Sequence, residues 1–153
     1  MDSDRQIKII AKENAVFWMD GNGMWHNEHG PFEHPKIITY FNRSIRKDEQ
    51  GYFVSQDLEG LEERVYFPHQ ETAVFAVDIR KGAPVTLVLN TGAAIPVTPE
   101  TLYIENDALF MESPGHLIKF NQQTLAKMAG LFTETDRGLA LTLNGTDFVI
   151  PEK

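Results

Sequence analysis

At 153 residues, 42% hydrophobic and 24% charged, the chain has the length and composition of one globular domain or two small lobes, not of a disordered polymer. Acidic residues outnumber basic ones 22 to 14, for a net charge of −8. That balance argues against nucleic acid or an anionic membrane as the main partner, because phosphate surfaces attract basic ones. The absence of cysteine excludes disulfides, thiolate nucleophiles and cysteine-ligated metals. Apolar runs such as AVFAV and VTLVL are too short to span a bilayer. The opening DSDRQIK after Met1 has no apolar signal core, so a cytoplasmic location is expected.

In chain order, residues 16–19 form a short apolar strand and Asp20-Gly21-Asn22-Gly23 a tight turn, with a returning strand at 24–27. His29-Gly30-Pro31 breaks that strand, and Pro35 suits the first turn of a helix, where its missing N–H costs nothing. Ile37, Ile38, Phe41 and Ile45 share one face of this helix, and Arg43, Arg46 and Lys47 close its last turn against the helix dipole. DEQG is the stop, and a strand begins at 52–55.

The middle reads as a β-meander through 61–67, 72–79 and 85–90, with shorter strands at 95–98 and 101–104 that Pro96 and Pro99 confine to sheet edges. The last third repeats the first. A hairpin at 108–112 and 117–120 leads to the N-cap Asn121 and to Leu125, Met128, Ala129 and Phe132 at helical spacing. A polar TETDRG stop and strands at 139–143 and 148–150 follow. The order strand–turn–strand–helix–acidic turn–strand thus occurs twice, at 16–55 and 108–143, which suggests an internal duplication. The alternative is one continuous antiparallel sheet with two helices on one face.

Three of the five histidines, His26, His29 and His34, fall within nine positions. Their H-x2-H-x4-H spacing lacks the helical pair and glutamate of HExxH, and residues three apart on a strand face opposite ways. The structural reading is preferred, with no metal centre and no cofactor expected. No GxSxG, phosphate loop or calcium loop is present. What remains is Trp25 and His26 beside a tight turn, with Tyr40 and Arg43 on the following helix. An aromatic face could stack a ring while the guanidinium forks onto a phosphate or carboxylate.

The segments DGNGMWHNEHGPFEHPKIITYF, GYFV, QETAVFAVDI, LVLNTG, TPETLYIENDALFM and IKFNQQTLAKMAGLF occur in an order that resembles a bacterial family, the domain of unknown function numbered 1285. The likeness runs over about residues 15–150. Its signature is matched by Asp20, Gly23, Trp25, Gly30, Pro35 and Phe41, with His26 close by. The chain departs from it at Glu71-Thr72-Ala73-Val74, where the family reads E-D-A-P. The resemblance implies a duplicated α+β core, a C-terminal part similar to a pleckstrin-homology-like barrel, and a small-ligand site between the halves. It carries no activity and suggests a signalling or regulatory role.

The expectation is therefore an α+β protein of two antiparallel sheet-plus-helix lobes, residues 1–79 and 80–153, acting as a non-enzymatic module that binds a small anionic or nucleotide-like ligand for sensing or signalling. Trp25, His26, Tyr40 and Arg43 are the candidate binding residues. A protein-interaction adaptor with an unknown partner is the rival reading, and a histidine-centred enzyme the third.

Overall fold

The computed structural model describes residues 6–153. The chain divides into two compact units, Met1–Ala73 and Val74–Lys153. The architecture is sheet-rich α+β, with two short α-helices among four sheets.

The first unit contains β1 (Gln6–Ile10), β2 (Phe17–Met19), β3 (Trp25–Asn27), β4 (Gly30–Pro31), α1 (Pro35–Arg43), β5 (Ile45–Asp48), β6 (Gly51–Leu58) and β7 (Leu61–Tyr66). Strands β2, β3 and β4 make a small three-stranded sheet, and the order β1-β7-β6-β5 makes a four-stranded one. Strand β1 runs parallel to β7, with Gln6 opposite Leu61 and Ile10 opposite Val65. The two-residue β4 forms at Gly30-Pro31, where the sequence reads as a break; its proline sits on an edge, where no ladder N–H is required.

The second unit contains β8 (Val74–Arg80), β9 (Thr86–Leu89), β10 (Ala94–Pro96), β11 (Leu102–Glu105), β12 (Ala108–Ser113), β13 (His116–Phe120), α2 (Gln122–Lys127), β14 (Phe132–Thr135), β15 (Gly138–Leu143) and β16 (Thr146–Val149). Its main sheet has the order β10-β9-β8-β13-β12-β11, antiparallel except for β8 against β13. The proline-flanked β10 and β11 occupy its two edges, as their composition predicts. Strands β14, β15 and β16 form a separate antiparallel meander.

Three expectations are corrected. The middle strands are not one meander: β7 pairs with β6 and β1, whereas β8 pairs with β9 and β13. Two parallel pairings exclude a continuous antiparallel sheet. Both helices are also shorter than their apolar spacing suggests. Helix α1 ends at Arg43, where the Ser44 hydroxyl donates to the Tyr40 carbonyl at 2.7 Å, and Ile45 leaves the helix to pair with Val54 in β5. Arg46 and Lys47 are strand residues, and Arg46 reaches back to donate to the Arg43 carbonyl at 2.8 Å. Phe132 likewise opens β14 opposite Leu141. For Ile45, β-branched and buried, a ladder position suits the side chain better than one further helical turn, and aromatic Phe132 likewise favours a strand.

Buried polar groups of the second unit are paired. Thr124 is fully buried on α2, and its hydroxyl donates to the Ala76 carbonyl of β8 at 3.0 Å. Asn121 caps the same helix, accepting from the Thr124 N–H at 2.8 Å. Thr124→Val keeps the shape and deletes one bond, while the Ala76 carbonyl retains the N–H of Asn121. The expected cost is about 1 kcal/mol, read as a lower urea midpoint at unchanged slope.

Candidate functional site

Alternation along the first hairpin sorts its side chains cleanly. Phe17, Met19 and Trp25 point inward and are buried. Val16, Trp18, Met24 and His26 occupy the other face, with Trp18 directly opposite His26 and His26 opposite Pro31. Asp20 ties the turn to that outer face. One carboxylate oxygen accepts the N–H groups of Asn22 (2.9 Å) and Met24 (3.0 Å), and the other meets His26 Nε2 at 2.7 Å. Burial of Asp20 opposes ionisation, but the His26 bond and the two backbone N–H groups outweigh it and hold the carboxyl below its ordinary range. The His26 ring lies parallel to Trp18, centroids 5.9 Å apart. At Gly21 a Cβ would lie 2.5 Å from Gln70 Oε1, so a larger residue there would displace the Gln70 side chain.

The four residues singled out in the sequence are not gathered. Trp25 is 1% exposed, enclosed by Phe17, Phe41 and Phe67 at centroid distances of 5.7, 5.4 and 4.8 Å, and its Nε1 donates to Asn42 Oδ1 at 2.7 Å. His26 lies on the opposite face of the same strand. Tyr40 and Arg43 stand exposed on α1, one turn apart. The three clustered histidines also have separate places. His26 pairs with Asp20, His29 is exposed beside Glu28, and His34 caps α1 by accepting the Lys36 N–H at its Nδ1.

Two concavities lined by described residues lie in the first unit. One, about 420 Å³, is an open groove lined mainly by exposed residues, including His29, Glu33, His34 and Ile37. The other, about 320 Å³, is more enclosed and has a floor of buried aromatic rings, Tyr52, Tyr66 and Phe67. Its rim carries Lys12, Glu13, Gln50 and His69. Topology places it. Because β1 and β7 are parallel, their C-terminal ends lie together, and antiparallel β6 begins at that same end, with Phe53 opposite Tyr66. Three chain segments therefore converge on one corner of the sheet.

The walls of this cavity are fixed by Asp48. Its Oδ1 accepts the Gln50 N–H at 2.9 Å, and its Oδ2 accepts the Tyr66 hydroxyl at 2.5 Å with Arg64 at 3.7 Å. The Tyr66 bond is the chief reason its carboxyl stays below the usual range; desolvation opposes this, and Gln50, Arg64 and Gly51 add to it. Burial first, and then the Asp48 carboxylate, push the Tyr66 phenol up. On the far wall His69 stands edge-on to Tyr52 (5.4 Å) and Phe67 (5.9 Å), and its Nδ1 is 2.8 Å from the Gln70 carbonyl.

Comparison with solved structures identifies the fold. A DUF1285 family protein from Silicibacter pomeroyi DSS-3 superposes with a TM-score of 0.64 at 13% identity, covering 95% of this chain and 84% of that one. A DUF1285 family protein from Shewanella baltica OS155 gives 0.54 at 14% identity, covering 78% and 94% respectively. The chain has the DUF1285 fold. No family model and no curated protein matches it in sequence. The resemblance carried by its segments therefore extends to the three-dimensional arrangement.

Within this DUF1285-like fold, sequence reading overlooked Tyr52, Tyr66, Phe67 and His69 as a group. Apolar and aromatic residues in strands ordinarily signal core, and only the parallel register of β1 brings Lys12 and Ala11 over their ends. His69 carried the available signal, a histidine in a Pro-His-Gln loop directly after a strand. Because Asp48 has a lowered carboxyl pKa in the folded state, its contribution is present above the unfolded carboxyl pKa and is lost as pH falls through the folded one. Tyr66→Phe is expected to destabilise by roughly 1.5 kcal/mol, the lower end for a hydrogen bond to a charged group. It should also flatten the acid limb of a plot of urea midpoint against pH.

Proposed function

We propose that the chain is a non-enzymatic small-ligand-binding module for sensing or signalling, and that the ligand enters the aromatic-floored cavity of the first unit. The observation that carries this reading is the combination of about 320 Å³ of space, within the range of small-molecule sites, with buried aromatic rings and polar groups at the rim, of which His69 is hydrogen-bonded. Rings recognise rings, so the nucleotide-like part of the expected ligand class fits this cavity best. Lys12 and Glu13 on one rim offset each other in charge, so the anionic part receives less support here. Tyr40 and Arg43 offer a separate, exposed ring and guanidinium to an anion. Among the described residues no hydrogen bond or ion pair engages that guanidinium.

The adaptor reading keeps one specific observation in its favour. The outer face of the first hairpin presents Val16 at 76%, Met24 at 51% and Trp18 at 39% exposure around the His26–Asp20 pair. An apolar sheet face of this kind suits a protein surface better than a small solute.

We also infer that the two units are duplicates. In each, a helix with a side-chain N-cap passes into a three-stranded meander. The first turn closes with Asp48 opposite Gly51 in one unit and Thr135 opposite Gly138 in the other, at glycine φ values of 120° and 122°. The pleckstrin-homology-like likeness of the C-terminal part rests on the family resemblance.

Planar heteroaromatic compounds and nucleosides screened by thermal shift should yield stabilisers, and a compound at 100 times its dissociation constant should add about 2.7 kcal/mol. Ala11→Trp, which fills the cavity from its rim, should abolish binding while keeping the melting point of the free protein. Hits that bind Ala11→Trp as well as the original chain, while Trp18→Ser abolishes them, would move the site to the hairpin face.

A further inference from the structure

We propose that the cavity of the first unit selects planar, uncharged heteroaromatic ligands bearing an N–H or O–H donor, and that Nε2 of His69 is the acceptor that reads this donor. The inference rests on the ligand-binding reading above and names the chemistry of the same site.

The tautomer follows from the neighbour. A backbone carbonyl can only accept, so the 2.8 Å contact between His69 Nδ1 and the Gln70 oxygen places the ring proton on Nδ1. In the neutral imidazole Nε2 is then a bare lone pair. Among the described residues nothing donates to it. The ring packs against Tyr52 at an interplanar angle of 80° and Phe67 at 65°, and these contacts together with the Gln70 bond favour this orientation. Phe67 is itself 1% exposed and packed on Trp25, so this wall is part of the core.

The remaining groups at the cavity narrow the ligand class. Tyr66 directs its hydroxyl proton to Asp48, and Arg64, 3.7 Å from that carboxylate, is itself bound to Glu62 at 3.0 Å, so these charges are already partnered. Lys12 and Glu13 share the rim, so neither sign of charge is favoured there. Gln50 can donate or accept and so does not discriminate. His69 is the only histidine lining this cavity, and its polarity is the one set by a backbone partner. A ring that presents an oxygen lone pair in place of an N–H would oppose two acceptors, a mismatch that discriminates more strongly than a change of apolar size.

The test uses indole and benzofuran, two rings of the same shape that differ by N–H against O. Each is titrated into the full chain and followed by ¹H–¹⁵N correlation spectra, which report both affinity and place. Indole is expected to bind roughly tenfold or more tightly than benzofuran, with shifts centred on His69, Gln50 and the Tyr52 and Tyr66 amides. His69→Phe, which keeps a flat ring and removes the acceptor, should bring the ratio close to one through loss of indole affinity. Equal affinities for the two rings in the original chain overturn the proposal while leaving the ligand-binding reading intact. So does a ratio that survives His69→Phe. If the variant does not fold, the ligand pair decides alone. Failure of both rings to shift the cavity residues overturns the proposal; failure of the wider screen as well removes the reading on which it rests.

Discussion

The first unit depends on the burial of one indole. Trp25 joins three stretches of chain that are distant in sequence: its own hairpin through Phe17, helix α1 through Phe41, and the segment after β7 through Phe67. Removing a side chain of this size from a core typically costs 3–5 kcal/mol, comparable to much of the net stability of a small domain. The indole N–H must also find a partner, and Asn42 on α1 supplies it at 2.7 Å. That bond matters because no residue of α1 is fully buried. The helix is held by a few strong contacts and a capped start, not by a broad apolar face.

The indole also determines what else can be done nearby. Strand alternation means that fixing Trp25 inward fixes Met24 and His26 outward. His26 is thus committed to the outer face, where Asp20 and Trp18 receive it. A site combining Trp25 and His26 would need one of them to cross the sheet. The same constraint acts favourably on the other side of the core, where Phe67 touches Trp25 with one edge and His69 with another. A wall of the cavity is therefore rigid for reasons that lie outside it.

The secondary structure was readable wherever local chemistry decided it. The Asp20–Gly23 turn, Pro35 at the start of α1, the Asn121 cap and the proline-flanked edge strands all follow from backbone rules acting over four or five residues. What was not readable depended on partners far along the chain. Ile45 and Phe132 continue the helical spacing of the residues before them, and only pairing with Val54 and Leu141 turns them into strands. Parallel pairing of β1 with β7 carries no local signal, because its two strands are separated by the small three-stranded sheet, the helix and two further strands. The cavity inherits that illegibility. Its floor looked like core, which it also is, and its rim comes from a segment whose neighbour could not be guessed.

The second meander shows why the cavity belongs to the first unit. The turns of the two meanders share a register, so Asp48 corresponds to Thr135 and Tyr52 to Leu139. A threonine cannot supply the two carboxylate oxygens that fix Gln50 and Tyr66, and a leucine provides no ring for a wall. More decisive is the missing strand. The sheet β14-β15-β16 has no counterpart of β1 among the described residues, so no added strand ends beside the corner made by its first turn and the end of its last strand. Meanders that share the register of their first turn thus differ in what they can hold. One parallel strand, added to the edge of a meander and followed by Ala11 and Lys12, converts the end of a sheet into a partly enclosed space. The cavity is then a property of the edge strand and the residues it covers, and the meander supplies the frame.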